Sequence, residues 1–142
     1  MKDQLQASQP DQPKTLDYLV NLLATSVLPT AVRRKSFIVN EVPHEFRIVA
    51  DENMLASVLS GLLQTIVTHA ENSCIRIAAK EYGNVILVHL KESGNFNNQA
   101  IANDLQQIQL LAKKLGGCVS ISNRREENTT IAFSFPNLPH AA

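Results

Sequence analysis

The sequence of 142 residues has little that would place it among nucleic-acid-binding, membrane or secreted proteins. Its 13 basic and 13 acidic side chains cancel, so there is no basic field to attract nucleic acid or an anionic membrane. No apolar run approaches the roughly 18 residues of a membrane span, and the polar N-terminus does not resemble a signal peptide. The sequence therefore predicts a cytoplasmic protein with no nucleic-acid partner and no membrane insertion.

Residues that bind metals or carry out redox chemistry are also scarce. The only cysteines, Cys74 and Cys118, are too far apart in sequence for a CxxC motif. We expect two small buried thiols in strands rather than a redox pair. The histidines have no metal-site spacing, and no local Ser-His-Asp or Cys-His pattern stands out. The sequence therefore predicts no metal ligands and no catalytic residues.

The length of 142 residues predicts one domain with a sizeable core. Residues 1–14 are rich in Gln, Asp, Ser and Pro, which predicts a disordered tail or the end of a linker. We expect the domain to occupy residues 15–136 and a short C-terminal tail to occupy residues 137–142.

The longest amphipathic segment is DENMLASVLSGLLQTIVTHA, residues 51–70. Asp51 is a good helix N-cap, and Glu52 suits the first turn of a helix because the helix dipole favours negative charge there. The apolar residues recur at i, i+3, i+4 and i+7: Met54, Leu55, Val58, Leu59, Leu62, Leu63, Ile66 and Val67. The segment therefore predicts a helix that buries one wide face.

Two more helices are expected. The first spans residues 16–33 after an N-cap at Thr15, and Pro29 is predicted to bend it or divide it. The second spans residues 99–115 with Leu111 in its buried stripe, and Gly116 with Gly117 is predicted to stop it.

Strand patterns alternate with these helices. They cover residues 37–39, 46–49, 74–79, 85–90, 119–122 and 130–135. Pro43 and His44 are expected to join the first two as a hairpin-like connection, and Gly83 lies in a predicted hairpin turn between the third and fourth. The predicted fold is α+β: a two-layer sandwich whose mixed, mostly antiparallel sheet of five or six strands has three helices on one face.

Three segments carry a resemblance to a known family: residues 51–70, residues 105–123 (LQQIQLLAKKLGGCVSISN) and residues 128–136 (NTTIAFSFP). With them, residues 15–136 resemble the Bergerat-fold (GHKL) ATPase domain shared by histidine kinases, gyrase and the large heat-shock chaperone. The resemblance is closest to the histidine-kinase branch. It implies a fold that in the family binds ATP and Mg²⁺.

The family's asparagine box, Asn-Leu-Leu-x-Asn-Ala, falls on residues 61–66. Gly61 stands at its first position and offers no side chain. Thr65 stands where the resemblance implies the Mg²⁺-binding asparagine, and its hydroxyl is a weak ligand without a neighbouring acid.

The first glycine box, Asp-x-Gly-x-Gly, falls on residues 92–96. Glu92 keeps the charge of the aspartate that accepts a hydrogen bond from adenine, but its carboxylate lies about 1.5 Å further from the backbone. Gly94 matches the first glycine, whereas Phe96 replaces the second, which the backbone needs to approach the nucleotide.

The second glycine box, Gly-x-Gly-Leu-Gly-Leu, falls on residues 100–105, where no glycine remains. Asp104 places a carboxylate where the resemblance implies a phosphate seat at a helix start. Near a helix start an acid is also favourable in its own right. Thr129 keeps the threonine of the family's Gly-Thr pair, whose glycine is Asn128. The segment after Phe96 is too short for an ATP lid.

Three histidines have no place in these boxes. The PHEF segment around His44 is similar to the family's phosphoacceptor box, but Pro43 between two strands predicts a turn and not the helix that a phosphoacceptor needs. His69 closes the central helix, where the dipole favours it. His89 is expected on a sheet surface.

These matches leave three hypotheses. In the first, the domain is degenerate, uses no cofactor, and is a non-catalytic binding or regulatory module in two-component phosphorelay signalling. Its partner would then be a response regulator or the helical hairpin of a histidine kinase or phosphotransferase. In the second, it is a functional ATP-binding catalytic domain of a sensor histidine kinase, with ATP and Mg²⁺ held by Glu92 and Thr65. In the third, it is an interaction module outside phosphotransfer.

Overall fold

The computed structural model describes residues 14–93, 98–124 and 128–139, which contain three helices and five strands. In chain order they are α1 (Leu16–Arg33), β1 (Phe37–Asn40), α2 (Glu52–His69), β2 (Cys74–Tyr82), β3 (Val85–Glu92), α3 (Asn98–Lys114), β4 (Cys118–Arg124) and β5 (Asn128–Pro136). Among the described residues, no helix combines the length and the apolar character that crossing a bilayer requires.

The strands form one five-stranded sheet in the order β1-β2-β3-β5-β4. β1 runs parallel to β2, and every other neighbouring pair is antiparallel. The predicted hairpin between β2 and β3 is confirmed, with Gly83 at a φ of 60° in its two-residue turn. The mixed sheet with its helices on one face confirms the predicted α+β sandwich.

The central helix α2 begins as predicted. Asp51 caps it, since its side chain accepts hydrogen bonds from the backbone N–H of Asn53 at 3.0 Å and of Met54 at 3.2 Å. The buried residues of α2 are Leu55, Val58, Leu59, Leu62, Leu63, Thr65, Ile66 and Val67. The helix therefore lies between the sheet and its two helical neighbours.

Helix α1 has the predicted bounds but runs unbroken through Pro29. A proline within a helix removes the hydrogen bond to the carbonyl four residues earlier, here that of the exposed Thr25, where water can replace it. Val27 and Ala31, on either side of Pro29, are both buried and hold the helix on the core. The prediction that Pro29 divides the helix is wrong for this reason.

The predicted strand at residues 46–49 is not a strand. Arg47 forms only an isolated bridge with Thr15, and the Phe46 carbonyl accepts a hydrogen bond of 2.8 Å from the N–H of Leu16. These backbone groups are satisfied by the chain that enters α1, whereas β1 pairs with β2. The hairpin-like connection expected at Pro43 and His44 is therefore also wrong, although a turn does occur at His44.

Asn137 holds the same segment from the other side. Its Oδ1 accepts hydrogen bonds from the N–H groups of Val49 at 2.8 Å and Ala50 at 3.1 Å, and its Nδ2 donates to the Arg47 carbonyl at 2.7 Å. One amide side chain thus satisfies three backbone groups that no strand partner serves. The residue just after β5 is an integral part of the fold.

Helix α3 stops where the glycines predict. Gly116 has a φ of 84°, and the N–H of Gly117 donates to the Ala112 carbonyl at 2.8 Å. Leu111 was expected in the buried stripe but is 39% exposed. The stripe of α3 is narrower than predicted, because α3 lies at the margin of the helical layer against β4.

The two cysteines are free thiols, but the expectation that both are buried is wrong. Cys74 is half-buried and Cys118 is exposed. Each is the first residue of its strand, on the sheet face away from the helices, and neither enters the core.

Candidate functional site

The predicted site begins at one end of the sheet, where β3 and β5 lie side by side. Glu92, the last residue of β3, is paired in register with Thr129 of β5 and with Ile75 of β2. Glu92 is 1% exposed and Thr129 is fully buried, both on the face covered by the helices. The sheet therefore brings together Glu92, which the resemblance places beside the adenine base, and Thr129, the threonine of the Gly-Thr pair.

Gly61 and Thr65 of the predicted site lie on helix α2, in the layer of helices that covers the sheet. A Cβ at Gly61 would lie 3.1 Å from both Cδ1 and Cγ1 of Ile108 on α3. The absence of a side chain at Gly61 thus lets the two helices approach closely. Thr65, one turn further along the same face, is buried at 7% exposure.

Asp104 contacts α2 one turn beyond Thr65. Its Oδ2 lies 2.8 Å from Nε2 of His69, the last residue of α2. Asp104 is the seventh residue of α3, beyond the first turn, so the helix dipole does not account for it. The expectation that Asp104 is placed by the start of the helix is therefore wrong, and its contact is with His69.

Gly94, the remaining predicted site residue, lies outside the described residues. The others fall into two groups: Glu92 with Thr129 at the sheet end, and Gly61, Thr65 and Asp104 along the contact between α2 and α3. Within the described ranges, no three His, Cys, Asp or Glu side chains are grouped as metal ligands would be.

The sequence reading missed the pairing of His69 with Asp104. The sequence indicates His69 only as a helix end and Asp104 only as a substituted glycine-box position. The available signal was that helices α2 and α3 both needed to bury a face, which makes a contact between them plausible. The exact pairing requires their relative register, which the sequence does not contain.

His44 lies away from this site. It is exposed in the turn before residue 46, and its Nδ1 is 2.6 Å from Oδ2 of Asp17 on α1. The hydrogen bond and the charge of Asp17 raise the pKa of His44 above its ordinary value of 6.5. A turn position is not the helical setting that a phosphoacceptor histidine needs, as the sequence predicted.

No family model matches the sequence, and no curated protein is significantly similar to it. Solved structures are similar. The catalytic domain of the histidine kinase ThkA in a nucleotide-free form superimposes with a TM-score of 0.73 at 18% identity, covering 91% of this chain and 98% of that one. Acinetobacter baumannii histidine kinase AdeS gives a TM-score of 0.76 at 10% identity, covering 89% and 66%.

A third similar structure is ThkA in complex with the response regulator protein TrrA. Its TM-score is 0.71 at 20% identity, and the match covers 90% of this chain but only 42% of that ThkA chain. Since all three match most of this chain at low identity, they establish its fold. The fold of this chain is that of histidine-kinase catalytic domains.

Proposed function

We propose that this domain is a non-catalytic binding or regulatory module in two-component phosphorelay signalling, and that it does not use ATP. The observation that carries the proposal is the direct contact of α2 with α3. The resemblance places the nucleotide's phosphates and Mg²⁺ beside these two helices, at Thr65 and Asp104.

The close approach of α2 and α3 at Gly61 supports the proposal. Any side chain at residue 61 would meet Ile108 within van der Waals distance. The family's metal-site helix carries polar side chains that face a ligand, whereas here this position faces an apolar side chain. The residues present therefore do not fit a magnesium ion bridging phosphates.

The charge of Asp104 supports it further. Two negative charges about 4 Å apart repel by about 1 kcal/mol in water and by several kcal/mol when partly buried. Asp104 is half exposed and contacts the ring of His69, so it lies at the helix contact and not at a helix terminus open to an anion. A phosphate group would have to displace this contact and tolerate the carboxylate.

The connection between β3 and α3 agrees with this interpretation. β3 ends at Glu92 and α3 begins at Asn98, so only residues 93–97 join them. A segment of this length spans less than about 18 Å and leaves no chain to fold over a bound nucleotide.

One observation favours the alternative, a functional ATP-binding catalytic domain. Glu92 and Thr129 are buried and adjacent, which keeps an acidic side chain and a hydroxyl near the position that the resemblance assigns to adenine. Under the alternative, Glu92 would bind adenine and Thr65 would assist Mg²⁺.

Calorimetric titration of the whole chain with ATP and Mg²⁺ separates these functions. We expect no dissociation constant tighter than about 100 μM, which corresponds to about −5.5 kcal/mol. A tighter value would establish the alternative. Asp104→Asn keeps the size of the side chain and removes its charge. An affinity gain above about tenfold in that variant would show that the carboxylate is what repels the phosphates, whereas no gain would point to the helix contact alone.

Binding assays with partners test the phosphorelay assignment. The fold neighbour ThkA is found in complex with a response regulator, and this supports a partner of the same class here. Receiver domains of response regulators and helical hairpins of histidine kinases from the same organism are the probes. Binding of either below about 100 μM is expected. Failure of all of them would favour an interaction module outside phosphotransfer.

A further inference from the structure

The face of the sheet that turns away from the helices carries a cluster of basic side chains. Strand alternation places Arg76 and Lys80 of β2 and His89 and Lys91 of β3 on this face. On β5 and β4 the same face carries hydroxyl and small side chains, namely Thr130, Ala132, Ser134, Ser120 and Ser122. We call the concave central part of this face the basic trough.

The register arranges the trough in rows across the strands. Arg76, Lys91, Thr130 and Ser122 form one row, and Ala78 and His89 begin the next. Like charges directly opposite one another on an antiparallel pair are destabilising, by up to about 1 kcal/mol. Arg76 and Lys91 form such a pair, and the carboxylate of Glu41 offsets the repulsion at Arg76.

One cation of the trough, Arg76, is neutralised by an acidic side chain. Nη1 of Arg76 lies 2.6 Å from Oε2 of Glu41 at the margin of the trough. Within the described parts of the chain, no carboxylate forms an ion pair with Lys80 or Lys91. Burial lowers the pKa of His89, and the charges of Lys91 and Lys80 lower it further. In a chain whose formal net charge is zero, the trough is a local positive region.

The trough is large enough for a ligand. Its volume is about 490 Å³, and it is lined by Glu41, Arg76, Ala78, Lys80, His89, Lys91, Ser122 and Thr130. The small side chain of Ala78, opposite His89 in the register, is part of this lining. Arg76 and Lys91 are opposite one another in one row. Lys80 lies four residues further along β2, so the row of Lys80 is about 13 Å from the row of Arg76 and Lys91.

We propose that the basic trough binds an acidic segment of a partner protein, with carboxylates at Lys80 and Lys91 and hydrogen bonds from the hydroxyl groups of Ser122 and Thr130. The 13 Å separation is the reason for a segment, because carboxylates four residues apart on an extended chain match the distance between the rows. Electrostatic complementarity of this kind directs association and selects partners. The proposal does not depend on the phosphorelay assignment.

The test titrates the ¹⁵N-labelled chain with the peptide acetyl-Gly-Glu-Ser-Glu-Ser-Glu-Gly-amide and follows the amide and His89 ring signals by NMR. Shifts confined to β2, β3, β4 and β5 are expected, with an affinity that weakens as salt rises. The double variant Lys80→Glu, Lys91→Glu should weaken binding at least tenfold. Lys113→Glu, Lys114→Glu, on exposed α3 positions, makes the same change in net charge and should leave affinity within twofold.

Several outcomes overturn the proposal. It fails if the peptide binds elsewhere, if both double variants lose affinity equally, or if the same peptide with lysine in place of glutamate binds as well. It also fails if pyrophosphate competes at the trough with higher affinity than the peptide, because a small anion would then be the ligand. A thermal melt of each variant confirms that it is folded. Nucleotide binding is not measured, so failure here is distinct from failure of the proposed function.

Discussion

The two faces of the sheet differ in the burial and the chemistry of their side chains. The helix-covered face carries Ile75, Ile77, Ile86, Val88, Leu90, Val119, Ile131, Phe133 and Phe135, all at most 1% exposed. The basic trough on the open face is lined by cations, hydroxyl groups and a small side chain from alternate positions of the strands, with Glu41 at its margin. Alternate residues of each strand therefore serve stability on the covered face and recognition on the open face. A substitution on the covered face should change stability, and one on the open face should change binding.

The largest expected effect is on the covered face. Phe133 is fully buried and its ring stacks on that of Phe135, with centroids 5.2 Å apart. Phe133→Ala should lower the free energy of unfolding by about 3–5 kcal/mol in urea denaturation, through lost burial and a cavity. Ser134→Ala, the adjacent residue on the open face, is the matched control and should change it by about 0.5 kcal/mol or less. Equal losses of stability in the two variants would contradict the difference between the covered and the open face.

An intermediate effect on the free energy of unfolding is expected at Asn137, the residue after β5. Asn137→Ala leaves three backbone groups of residues 47–50 without their side-chain partner, and we expect a loss of about 2 kcal/mol in the free energy of unfolding. Asn137→Asp keeps the acceptor oxygen and loses the donor to Arg47, so its loss in urea denaturation should be smaller. A loss as large as that of Phe133→Ala would mean that polar contacts rival core packing here.

The smallest expected effect is the pH dependence of the exposed pair His44–Asp17. Burial alone would raise the pKa of Asp17, but hydrogen bonds from Thr15 and His44 outweigh it and hold this pKa below its ordinary 3.8. The pKa of His44 is raised above 6.5. The His44 contribution to stability is complete below 6.5 and is lost as pH rises through the raised pKa. The Asp17 contribution is complete above 3.8 and is lost as pH falls through the lowered pKa.

The stability difference between the wild type and His44→Ala should therefore be largest between pH 3.8 and 6.5 and should fade on either side. Urea denaturation across this range measures it, and NMR titration of the imidazole checks the direction of the pKa shift. A difference that grows above pH 7 would contradict the assigned pair.

Much of the fold was predictable because its signals are local. The cap at Asp51, the apolar face of α2, the Gly83 turn and the stop at Gly116 each depend on neighbouring residues. The error at residues 46–49 has the same origin. Phe46 and Ile48 are half-buried and alternate with exposed residues, as in a strand, but their hydrogen-bond partners lie near residue 15. Alternation reports burial and does not identify the partner.

The candidate site was predictable only in part. Individual positions followed from the resemblance, but the contact between Asp104 and His69 joins residues 35 positions apart. The packing of Ile108 on Gly61 similarly depends on how two helices cross. The basic trough was missed because its cations come from different strands, and only the register of β2 against β3 places Arg76 opposite Lys91.

The segment of residues 46–50 receives both ends of the folded unit. The N–H of Ile48 donates to the Lys14 carbonyl at 2.8 Å, and the Asn137 side chain binds the backbone of Arg47, Val49 and Ala50 in the same segment. Entry and exit of the chain are thus neighbours in space. A unit built in this way can be inserted into a loop of a host protein without stretching the unit or the host. A short linker from residue 137 to residue 14 would also permit a circular permutant with new termini at the Gly83 turn.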